Sequence, residues 1–234
     1  MAADPFNIPT VKMKPSGTLS IELLSRVLTY SFPRRIIFGL NAVEKIADEV
    51  KALGGKNVFL VGDPVVAKTD RFAKIKEKLE AAKVSFCVYD RVETEPTLRL
   101  AEEIAGLARR EKVDTVVAVG GGSTMDTGKA AALSVTNPGL VESYLGSNLV
   151  KSKSIPLICM PTTSGSGSEV TQVAVLKMGE KKKTIVSWNI FPESVILDPQ
   201  LTVTMPPSIT ANSGVDALSH AVESTLSMDA SPLT

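Results

Sequence analysis

The chain has 234 residues, 44% of them hydrophobic, enough to bury a sizeable core in one large domain or in one domain and part of another. Lys and Arg number 26 and Asp and Glu 25, so the formal charge of +1 supplies no field to gather a polyanion or an anionic bilayer, which argues against nucleic acid and membrane as partners. No apolar run approaches the ~20 residues of a membrane span, and the start "MAADPFNIPTVKMKPSG" lacks the basic-then-apolar layout of a signal peptide, so a cytoplasmic location is expected.

Residues 1–30, with three prolines among the first fifteen positions and then the mildly amphipathic "LSIELLSRVLTY", read as an N-terminal extension. From Arg35 the pattern becomes regular. "RIIF" predicts a short strand and "NAVEKIADEVKAL" a helix, with Val43, Ile46, Ala47 and Val50 at helical spacing. "NVFLVG" predicts a buried strand, and "RFAKIKEKLEAAK" a helix with Phe72, Ile75 and Leu79 on one face. "VSFCVY" is the next strand, "PTLRLAEEIAGLARRE" a helix with Pro96 in its first turn, and "DTVVAVGGG" a strand running into glycines. Strands alternating with helices and reading as near-continuous apolar runs define an α/β class, a Rossmann-like parallel sheet covered on both faces. "SIPLICMP", "VTQVAVLKM" and "ESVILDP" add strands, and from about Pro206 the sequence turns helical. The expected layout is an extension over 1–30, an α/β domain over 31–204, and over 205–234 the first helices of an all-α domain, incomplete. Cys87 and Cys159 sit in apolar runs and read as small core residues rather than a disulfide framework or a zinc site.

Two loops carry the chemistry. In "VAVGGGSTMDTGKAA" a buried strand ends in three glycines and a helix follows at once, which aims backbone N–H groups and a positive dipole end at the carboxyl edge of the sheet, where phosphates bind. The spacing excludes better-known anion loops. Five residues separate Gly122 from Gly128 and Ala130 follows Lys129, so it is no Walker loop, and the third position of a dinucleotide fingerprint falls on Met125. The alternative is a tight turn that needs glycine for its dihedral angles alone. "PTTSGSGSEVT" also follows a strand and places hydroxyls and two glycines beside the same edge, a loop able to close over a cofactor and too short, between two strong strands, for a flexible linker. A serine hydrolase is disfavoured, because no Gly-x-Ser-x-Gly is centred on these serines and the chain has one histidine.

That histidine, His220, lies four residues after Asp216 in "GVDALSHAVES", a spacing that puts both on one helix face. A carboxylate and a neutral imidazole so placed can grip a divalent cation, iron or zinc. An ordinary hydrogen-bonded helix pair has the same spacing, and on these residues alone both readings stand.

"GGGSTMDTGKA", "PTTSGSGSEVT", "ILDPQLTVTMPP" and "GVDALSHAVES" occur in an order and approximate separation that resembles the iron-containing (group III) alcohol dehydrogenase family, over Phe32 to the last residue. The resemblance implies NAD and Fe²⁺ as cofactors, with Zn²⁺ the alternative metal, a small-molecule alcohol or aldehyde as partner, and a homo-oligomer. It assigns Gly121, Gly122 and Ser123 to the NAD pyrophosphate, Asp63 to the adenosine ribose, and Thr162, Thr163 and Ser166 to the hydroxyl loop lining the cofactor, Ser166 standing where threonine is more usual. A carboxylate at Asp63 repels a 2′-phosphate and favours NAD over NADP. Lys182, flanked by Lys181 and Lys183, is matched to a lysine near the nicotinamide ribose, and Asp216 and His220 to the first two metal ligands. The implied reaction is hydride transfer between a primary alcohol or aldehyde and NAD, with the metal as Lewis acid. The family completes its metal site with two further histidines from a C-terminal helical domain. With a single histidine, the sequence resembles a member cut at roughly two-thirds, for which little or no metal-dependent turnover is expected. The alternatives are a non-catalytic nucleotide-binding fragment and, more distantly, an enzyme resembling dehydroquinate synthase.

Overall fold

A computed structural model describes residues 30–228, 230 and 231, so the proposed extension over 1–30 lies almost wholly outside the described residues. The chain divides into two compact units, Phe32–Ala217 and a second that includes Leu218 onward, and each is described by itself.

In the first unit, β1 (Arg35–Phe38), β2 (Asn57–Gly62), β3 (Ser85–Tyr89), β4 (Thr115–Gly120), β6 (Leu157–Pro161) and β9 (Ser194–Leu197) form a six-stranded sheet in the order β1-β9-β6-β4-β2-β3, every pairing parallel. The apolar runs form these strands because both faces are covered, and alternation along each strand sorts the side chains into two cores. Val58, Leu60, Val117, Val119, Ile158 and Met160 face one side, where α1 (Ile46–Ala52) contributes Ile46 and Val50 and α2 (Asp70–Ala81) contributes Phe72, Ile75 and Leu79. Phe59, Val61, Val116, Ala118, Leu157 and Cys159 face the other, against α3 (Leu98–Arg110) and α4 (Gly122–Thr136). Complete burial of side chains such as Phe72 or Ile75 stabilises the fold by about 1.5–3 kcal/mol each.

The structure departs from the sequence reading in four places. The helix over "NAVEKIADEVKAL" opens with a 3₁₀ turn, Ala42–Lys45, before α1. Pro96 lies outside α3, which begins at Leu98 because the Thr97 hydroxyl accepts the Leu100 N–H and caps it there. Cys87 is only half-buried, since β3 is an edge strand, whereas Cys159 in the sheet interior is buried. Finally, β7 (Val173–Met178) leaves the main sheet and pairs antiparallel with β8 (Lys181–Val186), itself paired to β5 (Gly146–Ser147), in a three-stranded sheet. Ala174, Leu176 and Ile185 of this sheet share a third core with Ala130 and Leu133 of α4. Helix α4 is thereby enclosed, and every residue from Thr124 to Ser134 is buried, which explains why it lacks a polar face.

At β1 the buried Glu49 carboxylate accepts the Ser194 hydroxyl and pairs with Arg35 at 2.8 Å, tying the edge strand to β9. Helix α5 (Pro207–Leu226) follows the last strand, and the unit division falls within it. Leu218, Val222 and Leu226, in the second unit, are exposed. Among the described residues no helix is long and apolar enough to cross a membrane.

Candidate functional site

The chain leaves β2 for β3 on one side and returns to β4 on the other, so a topological switch point, the usual place of a ligand crevice, lies between the carboxyl ends of β2 and β4. Register sets Gly62 beside Val119 and Gly120 beside Pro161. Asp63, Gly121 and Thr162 therefore leave neighbouring strands along one edge, with Asp63 a residue behind the other two.

Asp63 Oδ1 accepts the N–H groups of Val65 at 2.8 Å and Val66 at 2.9 Å, shaping the turn after β2. Gly121 is the N-cap of α4, and the first helical i→i−4 bond of α4 runs from Met125 N–H to the Gly121 carbonyl. The amides of Gly122, Ser123 and Thr124 precede that first donor and point out of the helix end, where the dipole favours an anion. The Ser123 hydroxyl donates to the Thr94 carbonyl, fixing the turn to the loop before α3.

The three glycines have separate reasons. None adopts a positive φ, so the tight-turn explanation fails. A Cβ at Gly120 would fall 2.3 Å from Thr124 Oγ1, and one at Gly122 would fall 3.0 Å from Ser166. Gly121 has φ −76° and ψ −174°, open to any residue, and its Cβ would meet nothing closer than Thr163 Oγ1 at 3.4 Å. Neither backbone geometry nor packing requires glycine there. A side chain at Gly121 would lie against Thr163, between the strap and the helix amides.

The segment Thr162–Gly167 lies across this turn as a strap. Thr162 N–H donates to the Gly120 carbonyl at 3.0 Å, Thr163 stands over Gly121, and Ser166 stands over Gly122. The far side of the strap meets α5, since a Cβ at Gly165 would fall 2.3 Å from the Ser213 carbonyl oxygen, three residues before Asp216.

Of the three consecutive lysines, Lys182 is the one that reaches this region. It lines a cavity of about 100 Å³ with Thr94, Ser123, Asp126 and Lys177, while Lys181 and Lys183 lie on the opposite face of β8. Glu95 bridges the two sheet lysines, accepting Lys177 Nζ at 2.8 Å and lying 3.7 Å from Lys182 Nζ. The hydrogen bond from Lys177 holds the Glu95 carboxyl below its ordinary range and raises Lys177.

Asp216 and His220 are both in α5, four residues apart. Among the described residues no group of three or more His, Cys, Asp or Glu side chains is placed to hold a metal ion. A carboxylate and an imidazole are donor types suited to iron or zinc, and the division between the two units, after Ala217, falls between these two residues.

The sequence reading missed Thr94, Glu95, Asp126, Lys129 and Ser168. Asp126 and Lys129 carried a signal, two opposite charges three residues apart inside the otherwise uncharged helix α4. Burial pushes the Asp126 carboxyl up against the pull of Lys129, and draws Lys129 down against the pull of Asp126.

Comparison with known proteins places the chain in a family. Residues 33–199 match the family model for iron-containing alcohol dehydrogenase. The chain is 39% identical over 203 residues to sulfoacetaldehyde reductase of Bilophila wadsworthia, covering 86% of this chain and 52% of that protein. Its fold superposes on a crystal structure of 1,3-propanediol oxidoreductase with a TM-score of 0.85 at 36% identity, over 89% of this chain and 55% of that one. A sulfoacetaldehyde reductase from Bifidobacterium kashiwanohense, solved in complex with NAD⁺, superposes with a TM-score of 0.76 at 34% identity, over 85% and 53%. The chain belongs to the iron-containing alcohol dehydrogenase family. It spans about half the length of the curated relatives it matches.

Proposed function

We propose that the chain binds NAD at the carboxyl edge of its parallel sheet and, as part of an alcohol dehydrogenase, serves hydride exchange between a small alcohol or aldehyde and that cofactor. The observation that carries this is the meeting of the α4 amides with the strap hydroxyls over Gly121, a glycine that nothing inside the protein requires. The amides of Gly122, Ser123 and Thr124 donate to the diphosphate. Thr163 and Ser166 close over it with hydroxyls, and Thr162 anchors the strap. Asp63 accepts from the adenosine ribose and rejects a 2′-phosphate. Lys182 stands at the nicotinamide ribose side, where Ser123 and Thr94 line the same cavity.

Asp216 and His220 are the residues that hold the divalent cation, iron by family. When bound, the nicotinamide would supply a hydride acceptor, and a cation held by Asp216 and His220 would supply Lewis-acid assistance. In this reading residues 31–204 serve as the dinucleotide-binding domain and residues 205–234 as the beginning of the helical, metal-binding domain. The relative solved with NAD⁺ supports the cofactor, and the family description supports iron.

Calorimetric titration of the 234-residue chain with NAD⁺ and NADP⁺ tests the cofactor half, with saturable and tighter binding of NAD⁺ expected. An alcohol-oxidation assay with added Fe²⁺ tests the metal half. Two protein ligands give a weak, open site, so little turnover is expected from this chain alone. Preference for NADP⁺, or no binding of either nucleotide, contradicts the proposal.

A further inference from the structure

Lys129 is fully buried on α4, two turns below the Gly-Gly-Gly-Ser amides, and is used by none of the contacts assigned to cofactor above. Its ammonium reaches the Ser168 carbonyl at 2.8 Å, the Ser168 hydroxyl at 2.9 Å, the Thr171 hydroxyl at 3.0 Å and the Val173 carbonyl at 2.6 Å. Asp126, one turn nearer the helix start, lies 3.5 Å from that ammonium. Through Oδ1 it accepts the Ser168 hydroxyl at 2.6 Å, and through Oδ2 the Val175 N–H at 2.9 Å. The four oxygens satisfy all three donors of a lysine ammonium, so the cation is fully bonded in spite of its burial.

These bonds all end on one stretch of chain, Ser168–Val175, which begins where the strap Thr162–Gly167 stops. The strap is therefore held at both ends. At its start Thr162 N–H is tied to Gly120, and at its finish two charged side chains of α4 grip Ser168 and its successors. Both the anchoring charges and the diphosphate-facing amides belong to the same helix, so the helix fixes the height of the Thr163 and Ser166 hydroxyls above its own N-terminus. A buried ion pair is weak evidence of added stability. Here its bonds are spent on a segment that carries cofactor-facing groups.

We propose that Lys129, with Asp126 and Ser168 as its partners, is a positioning residue for the NAD site, locking the hydroxyl strap over the Gly-Gly-Gly-Ser turn. It touches no part of the cofactor. The inference rests on the NAD binding proposed above, and extends it to a group two helical turns away.

The test compares the full 234-residue chain with Lys129→Met, Ser168→Ala and, as a control for a buried charge that does not touch the strap, Glu49→Gln. Each is titrated with NAD⁺ by calorimetry and followed by amide hydrogen exchange over residues 162–175. Lys129→Met is expected to weaken NAD⁺ binding about tenfold, about 1.4 kcal/mol, and to speed exchange in the strap. Ser168→Ala is expected to do both to a smaller degree, and keeps the test open should Lys129→Met fail to fold. Glu49→Gln is expected to lower thermal stability with NAD⁺ affinity unchanged. Unchanged NAD⁺ affinity in the folded strap variants, or weakened affinity with no change in strap exchange, overturns the positioning role while leaving NAD binding intact. Absence of NAD⁺ binding by the parent chain overturns both.

Discussion

Gly120, Gly121 and Gly122 are adjacent in sequence, and each is glycine for a different cause. At Gly120 a methyl group would collide with Thr124 at 2.3 Å, within the helix turn itself, so relief requires Thr124 to move. Gly120→Ala is therefore expected to destabilise the fold by about 1–3 kcal/mol, the usual range for forcing a methylene into a packed site, read as a lower midpoint in chemical denaturation. At Gly121 the methyl fits, and the expected result is the reverse: Gly121→Ala leaves the midpoint nearly unchanged but weakens NAD⁺ binding about tenfold, since it fills the approach to the α4 amides. Equal NAD⁺ affinity in Gly121→Ala would remove the reason offered for that glycine. The sequence predicts an anion cradle at the triplet, but which glycine packs against protein and which has room for a side chain depends on Thr163 and Ser166, some forty residues later in the chain.

At the scale of single elements, β6 shows how an interior strand imposes chemistry on a side chain. Cys159 faces the core shared with α3 and α4, and burial pushes its thiol from an ordinary value of 9.0 up to about 12. The folded protein thus keeps a proton that the unfolded chain releases above 9.0. By linkage, the stabilisation from this group is complete below that pH and is lost as pH rises toward about 12, at about 1.4 kcal/mol per pH unit. Denaturant midpoints measured across this alkaline window should fall more steeply for the parent chain than for Cys159→Ala, and parallel slopes would contradict the assignment. The same kind of strand was the most legible feature of the sequence: after Asn57 and Thr115 at their starts, β2 and β4, like β6, run apolar because both faces are covered, and α2 shows its Phe72, Ile75, Leu79 stripe because only one face is. Strand β8 was not legible. It opens with three lysines and buries only Ile185 fully, so its run reads as solvated surface. The clue lay in "MGEK", where Gly179 at φ 61° sits in the two-residue loop joining β7 to β8. Missing that hairpin also hid the enclosure of α4, and with it the role of Asp126 and Lys129.

For the whole molecule, the unit Phe32–Ala217 brings seven of the sequence-assigned cofactor residues, Asp63 through Ser166, to one edge of the six-stranded sheet, and the eighth, Lys182, comes from β8 of the small sheet. Their order in the chain gave no indication that Ser123 and Lys182 line one cavity; the small sheet accomplishes that by pairing β8 with β7, which packs against α4. Family membership rests on residues 33–199, whereas Asp216 and His220 fall beyond that match, so the metal pair stands on the sequence motif and on its place in α5. The proposed seat of NAD at the carboxyl edge of the sheet is read out by a crystal structure of the chain grown with NAD⁺. The diphosphate is expected against the amides of Gly122, Ser123 and Thr124, beneath Thr163 and Ser166, with the adenosine ribose toward Asp63. A dinucleotide bound elsewhere, with the space over Gly121 left to solvent, would contradict it.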